Sequence, residues 1–149
     1  FKFYKKKFLK LFSFFFKKFA LKSESTSHFV GVLGSNDRIL LASNENITEK
    51  ETFEFFKIKS TMKSYSKNTI VAIKSSFTRK FITIDSGFFL SASANEIGNK
   101  ESFMVYFGPD KKISLRSIEN LNFVTIEYSP YEYVPVLTVH NNYRANNFI

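Results

Sequence analysis

The feature that most constrains this chain is a stretch that it repeats. One copy runs Val71-Ala72-Ile73-Lys74-Ser75, Phe81-Ile82-Thr83-Ile84, Phe89-Leu90-Ser91-Ala92-Ser93 and Lys100-Glu101-Ser102-Phe103. The same order stands upstream as Phe19-Ala20-Leu21-Lys22-Ser23, Phe29-Val30-Gly31-Val32, Leu40-Leu41-Ala42-Ser43 and Lys50-Glu51-Thr52-Phe53. Six residues lead from Ser23 to Phe29 and from Ser75 to Phe81. Eleven lead from Ala42 to Phe53 and from Ala92 to Phe103, with Ile47 and Ile97 coinciding inside that window. A third copy opens at Ile113-Ser114-Leu115-Arg116-Ser117 and resumes six residues on at Phe123-Val124-Thr125-Ile126. A unit of about 40–50 residues that occurs three times implies a repeat architecture, because one copy cannot bury its own apolar side.

Each copy is built from strands. Phe19, Leu21 and Ser23 alternate with Ala20 and Lys22, as Val71 and Ile73, or Ile113 and Leu115, alternate with their neighbours. A period of two marks a half-buried strand. Turn signals fall between the runs, at Gly34-Ser35-Asn36-Asp37 in copy one and Asp85-Ser86-Gly87 in copy two. Strand centres recur about every ten residues, the rhythm of a sandwich or barrel. Three copies of four strands around a pseudo-threefold axis close a barrel capped by hairpins and leave few open edges. The expected fold is therefore all-β, a β-trefoil.

With 149 residues the chain forms one domain. Its repeats cover about 19–58, 70–112 and 113–149, behind a leader of residues 1–18. A polar link from Lys59 to Asn68 joins the first two copies, and Gly108-Pro109-Asp110-Lys111-Lys112 leads into the third. Copy three departs most. Its second hairpin is drawn out through Tyr128-Ser129-Pro130-Tyr131-Glu132-Tyr133-Val134-Pro135, where two prolines stop regular pairing. Its fourth strand is expected near Ala145-Asn146-Asn147-Phe148-Ile149, with Asn146 in the place of Glu51 and Glu101.

The net charge of +9 belongs to one end. Residues 1–22 hold eight Lys and no acid, which leaves 14 basic against 13 acidic residues in the remainder. Phe1, Tyr4, Phe8, Leu11, Phe12, Phe15 and Phe19 keep a helical rhythm among those lysines, so the leader reads as a basic amphipathic helix. Such a segment suits an anionic membrane surface, an acidic partner or, through Lys5, Lys6 and Lys7, the phosphates of RNA. A secretory signal is the rival reading, although Lys10 interrupts the apolar run. No run reaches the length of a membrane-spanning helix.

No set of residues here points to catalysis. The chain has no Cys, which removes disulfides, thiolate zinc sites and thiol nucleophiles. His28 and His140, at a strand start and in a loop, read as locally bonded side chains, and no metal site or cofactor is expected. Gly31-Val32-Leu33-Gly34 lies within a hairpin with no helix behind it, so it is no phosphate loop. Glu51 and Glu101 occupy the same place in two copies, which assigns them to a turn and not to a catalytic pair. There is no Trp for a sugar-stacking trefoil.

The series Val/Ala-Leu/Ile-Lys-Ser, a Phe strand six residues on, Ala-Ser and Glu-x-Phe resembles the fascin-like β-trefoils, over residues 19–127 above all. Within that group, Ile70 to Ser75, Ile97-Gly98-Asn99-Lys100-Glu101 and Lys111-Lys112-Ile113-Ser114-Leu115-Arg116-Ser117 look closest to the nuclear family named after the facioscapulohumeral muscular dystrophy region. Its members also pair a Lys-rich N-terminal segment with one fascin-like domain. The small His-rich actin-binding trefoils share the pattern, though this chain has only two His. The resemblance implies actin-filament binding in the cytoplasm or nucleus, an association with RNA processing, and no catalytic activity, cofactor or small-molecule substrate. A secreted trefoil with its leader removed is a further reading.

Residues present in every copy serve the framework, so function is expected where the copies differ. That test selects Arg79 and Lys80 before the second strand of copy two, Lys111 and Lys112 before copy three, and the Tyr-rich loop of copy three. Basic loops fit the acidic surface of an actin filament, each exposed charge contributing modestly and screened by salt.

Overall fold

The computed structural model describes residues 2–4, 18–34, 36, 38–58, 69–109, 112–129 and 132–140. These form twelve strands: β1 (Lys2–Tyr4), β2 (Ala20–Lys22), β3 (Phe29–Val32), β4 (Leu40–Asn44), β5 (Phe53–Ile58), β6 (Thr69–Ser75), β7 (Phe81–Ile84), β8 (Leu90–Ala94), β9 (Phe103–Phe107), β10 (Ile113–Ser117), β11 (Thr125–Tyr128) and β12 (Pro135–Thr138). One 3-10 turn spans Asn99–Glu101. The all-β expectation holds.

Alternation sets which side of each strand is covered. In β10, Ile113, Leu115 and Ser117 are buried while Ser114 and Arg116 are half-buried. In β5, Phe53 and Phe55 are buried between Glu54 and Phe56. The central strand β6 breaks this rule, with Ile70, Val71, Ala72 and Ile73 all buried. It pairs with β5 on one side and with β7 and β9 on the other, so its backbone groups are engaged along both edges, and its middle side chains are covered on both faces. The inward side chains form one cluster that includes Phe19, Leu21, Phe53, Ile73, Phe103, Leu115 and Leu137. Phe19 lies on Phe55 with ring centres 4.1 Å apart.

The strands pair into two sheets. One has the order β1-β2-β3-β4-β12-β11, the other β10-β9-β6-β7-β8 with β5 added against β6. A two-way backbone bond between Phe19 and Phe53, 2.9 Å in each direction, links β2 to the start of β5 across the sheets. The hairpins β3–β4 and β7–β8 share one register: a bulge follows the first pair in each, after Phe29 and after Phe81. The three hairpins also touch in a ring. Ile39 pairs with Ser91, Phe89 with Thr138, and Val136 with Leu41. The ring is tied further by Ala92 N–H donating to the Arg38 carbonyl at 2.8 Å and Val139 N–H to the Phe88 carbonyl at 2.9 Å.

Two expectations are corrected. Lys2–Tyr4 are extended and pair with β2, so the helical reading of the leader fails there. The backbone bonds offered by the edge of β2 outweigh the local apolar rhythm, which a sequence window cannot weigh against a distant partner. The closed barrel is not formed by continuous pairing among the described strands, because β2 has β1 as its outer neighbour and meets β5 through one bridge only. Residues 1 and 5–17 of the leader, the link 59–68 and the fourth strand expected in copy three lie outside the described residues.

Phe103 is fully buried and Phe107, in the same strand, is 62% exposed. Phe103→Ala is expected to lower unfolding stability by about 3–5 kcal/mol, and Phe107→Ala to change it by no more than about 0.5 kcal/mol. Urea titration of both variants checks this.

Candidate functional site

Each copy turns from its first strand to its second in the same way. Ser23, Ser75 and Ser117 are buried at the strand ends. The Ser23 hydroxyl accepts from Thr26 N–H, that of Ser75 from Phe77 and Thr78 N–H, and that of Ser117 from Glu119 and Asn120 N–H, at 3.1–3.4 Å. Four residues on, the N–H of Ser27, Arg79 or Leu121 donates back to the serine carbonyl at 3.0–3.1 Å. Those three residues hold φ of 58°, 60° and 60°, a left-handed conformation that side chains other than Gly adopt at a cost. The serine and backbone bonds thus hold a strained position in place, and only in copy two does a cation occupy it.

A second feature recurs beside these turns. The basic residue before each serine lies over the aromatic ring that opens the next strand: Lys22 over Phe29 at 5.4 Å, Lys74 over Phe81 at 5.4 Å and Arg116 over Phe123 at 5.5 Å. Arg116 Nε also donates to the Leu121 carbonyl at 2.6 Å. At about 0.5–1 kcal/mol each, such stacks hold the aromatic in place and partly mask the cation. The Lys-Ser or Arg-Ser pair followed by Phe six residues on is the place of this contact in the sequence, where it marks the repeat but does not by itself tell that the cation lies over the ring.

The basic candidates fare differently. Arg79 is exposed at the turn tip. Lys80 follows it and its ammonium donates to Asn95 Oδ1. Lys112 is drawn to Glu24 at 2.5 Å, so its charge is met by an acid from the turn of copy one. Lys111 and Lys5, Lys6 and Lys7 lie outside the described residues. In the Tyr-rich loop, Tyr128 and Tyr133 are exposed, and Tyr133 is also left-handed with φ of 52°. The structure therefore joins Arg79 and Lys80 in one turn and does not show Lys112 beside them.

The two glutamates act within turns. Glu51 is buried; its Oε1 accepts from Asn44 Nδ2 at 2.6 Å and its Oε2 from the Thr48 N–H at 2.7 Å and hydroxyl at 2.5 Å. Glu101 accepts from Gly98 N–H at 2.8 Å and from the Thr83 hydroxyl. Gly31 and Thr83 occupy corresponding strand positions. A Cβ on Gly31 would stand 2.5 Å from Glu51 Oε1 and 2.8 Å from Asn44 Nδ2, so the glycine makes room for Asn44 to reach the carboxylate. In copy two the threonine supplies the donor itself, and Ala94 stands where copy one has Asn44. A cleft of about 390 Å³ over this site is lined by Gly31, Asn44, Thr48 and Glu51 among others. Both oxygens of its carboxylate are already engaged, so it offers no free base.

The histidines are bonded locally. His28 Nδ1 lies 2.6 Å from the Thr26 carbonyl, and His140 Nδ1 lies 2.9 Å from Glu127 Oε2, with its ring beside Phe88 and Phe89. Among the described residues no three His, Cys, Asp or Glu side chains gather to hold a metal ion.

Gly31→Thr alone is expected to cost about 1–3 kcal/mol, because the new side chain forces Asn44 away from a buried carboxylate. Adding Asn44→Ala rebuilds the arrangement of copy two, and at least half of that loss is expected to return. A double-mutant cycle by urea unfolding measures the coupling.

Comparison with known protein families gives no match to any family model, and comparison with characterised proteins finds no significant relative.

Proposed function

We propose that this chain is a β-trefoil of the fascin-like kind that works by binding, with the actin filament as its partner and with Arg79 and Lys80 in the contact. The observation that carries this reading is the threefold recurrence: three serine-held turns of one geometry and three hairpins that touch in a ring. In that frame the exposed left-handed position is Ser27 in copy one, Arg79 in copy two and Leu121 in copy three. Strained non-glycine residues collect where a side chain must be presented in a fixed direction. A cation presented so is suited to an acidic protein surface. Glu51 and Glu101, the carboxylates that would tempt an enzymatic reading, have their oxygens engaged by turn donors.

A second reading, association with RNA in the nucleus, is favoured by the eight Lys within residues 1–22. Phosphate contacts of that kind give an affinity that falls steeply with salt, by roughly 0.7–0.9 log units per contact for each tenfold rise.

The variant Arg79→Gly separates binding from folding. Glycine adopts φ near 60° freely, so stability is expected to stay level or rise by up to about 1 kcal/mol while the guanidinium is lost. Combined with Lys80→Ala, it is expected to weaken co-sedimentation with actin filaments by about three- to tenfold. Filament binding unchanged in this pair removes the actin reading. RNA binding that is lost when Lys5, Lys6 and Lys7 become Gln, with no filament binding at any salt, selects the second reading.

A further inference from the structure

The fourth strand of one copy lies on the first strand of the next. On β6, β5 sets Glu54 opposite Lys74, Phe55 opposite Ile73 and Phe56 opposite Ala72. On β10, β9 sets Met104 opposite Arg116, Val105 opposite Leu115 and Tyr106 opposite Ser114. On β2, β1 sets Lys2 opposite Lys22, Phe3 opposite Leu21 and Tyr4 opposite Ala20. All three pairs are antiparallel, and the first-strand residues named stand at corresponding positions of the three copies. The backbone register of β1 is therefore that of a fourth strand. The sequence agrees: Phe1-Lys2-Phe3-Tyr4-Lys5 matches Phe53-Glu54-Phe55-Phe56-Lys57 at Phe1, Phe3 and Lys5, with Tyr4 in the place of Phe56.

A fourth strand also meets the first strand of its own copy. On β6, β9 sets Phe103 opposite Val71 and Met104 opposite Ile70, and Phe53 at the start of β5 bridges to Phe19 beside β2. Followed round, these contacts trace the ring β2-β5-β6-β9-β10-β1, in which every join but that of β10 with β1 is present among the described residues. Those two strands each stand at the end of a sheet. We infer that β1 is the fourth strand of the third copy, supplied from the N-terminal side of the chain, and that the leader straps the barrel shut by lying between β2 and β10. Lys2 then stands opposite Lys112, as Met104 stands opposite Ile70. The start of the leader belongs to the fold, so cutting it away, as a signal peptide is cut away, opens the barrel along β2. The strap is three residues long and fifteen residues separate it from β2, so it is the stave that opens first. The inference rests on the threefold frame proposed above and is independent of the filament partner.

The chain has no Cys, so an introduced pair reports a single contact. Directly opposed residues of antiparallel strands have Cα atoms about 4.5–5.5 Å apart, within the span of a disulfide. The rival arrangement has its fourth strand at residues 145–149; with Phe148 in the place of Phe103, Ile149 takes the position opposite Lys112. In the full chain, Lys2→Cys with Lys112→Cys is expected to cross-link within the monomer at least about tenfold faster than Ile149→Cys with Lys112→Cys. Cross-linking of the rival pair as fast or faster overturns the inference and leaves the threefold frame standing; cross-linking of neither pair removes both. A second measurement does not involve Lys112. Phe3→Ala is expected to lower the urea midpoint about as far as Phe55→Ala, which alters a buried residue at the corresponding position. A midpoint unchanged by Phe3→Ala also overturns the inference.

Discussion

The arrangement depends on keeping backbone groups satisfied where each first strand ends inside the molecule. Ser23, Ser75 and Ser117 are buried there, and each offers one small hydroxyl to the amides of a turn that would otherwise be stranded away from water. The chain can then reverse within a few residues and deliver an aromatic residue back onto the preceding cation. Without that closure, the second strand of each copy would leave the direction from which the hairpins meet in their ring. The core cluster that contains Phe53 and Phe103 draws residues from all three hairpins, among them Val30, Leu40, Ile82, Leu90 and Leu137.

The two copies of the glutamate turn show how one structural need can be met by different residues. Copy one combines a missing side chain at Gly31 with a long amide at Asn44; copy two combines Thr83 with the short Ala94. Neither solution transfers by one substitution, because each donor occupies space that the other copy has given up. Packing and polar satisfaction are linked at this point, and the repeat diverges in pairs of residues.

Much of this was legible in the sequence. The alternation in Phe19 to Ser23, Val71 to Ser75 and Ile113 to Ser117 placed β2, β6 and β10 closely, and the six-residue spacing to Phe29, Phe81 and Phe123 marked where each copy resumes, although the serine-held turns inside that spacing were not read. The structural use of Glu51 and Glu101 also followed from their matching positions. Other features had no local signal. Lys2–Tyr4 sit in a segment whose apolar spacing is helical, and their strand conformation comes from a partner eighteen residues on. Lys112 and Glu24 are far apart in the chain, so their pairing could not be read from either neighbourhood. The left-handed residues were hidden for a different reason: among the described residues they are Ser27, Arg79, Phe88, Leu121 and Tyr133, and none is Gly, the residue by which such positions are normally noticed.

That last point bears on how the surface can vary. In the serine-held turns the backbone is fixed from beneath, by a hydroxyl and two main-chain bonds, and the side chain at the tip takes no part in holding it. Ser, Arg and Leu already occupy the tip without altering the turn. Such a position is a display post: chemistry can be exchanged on it while the scaffold underneath is left alone. Three of them on one small chain give lineage drift, or a protein engineer, a set of independently adjustable contacts.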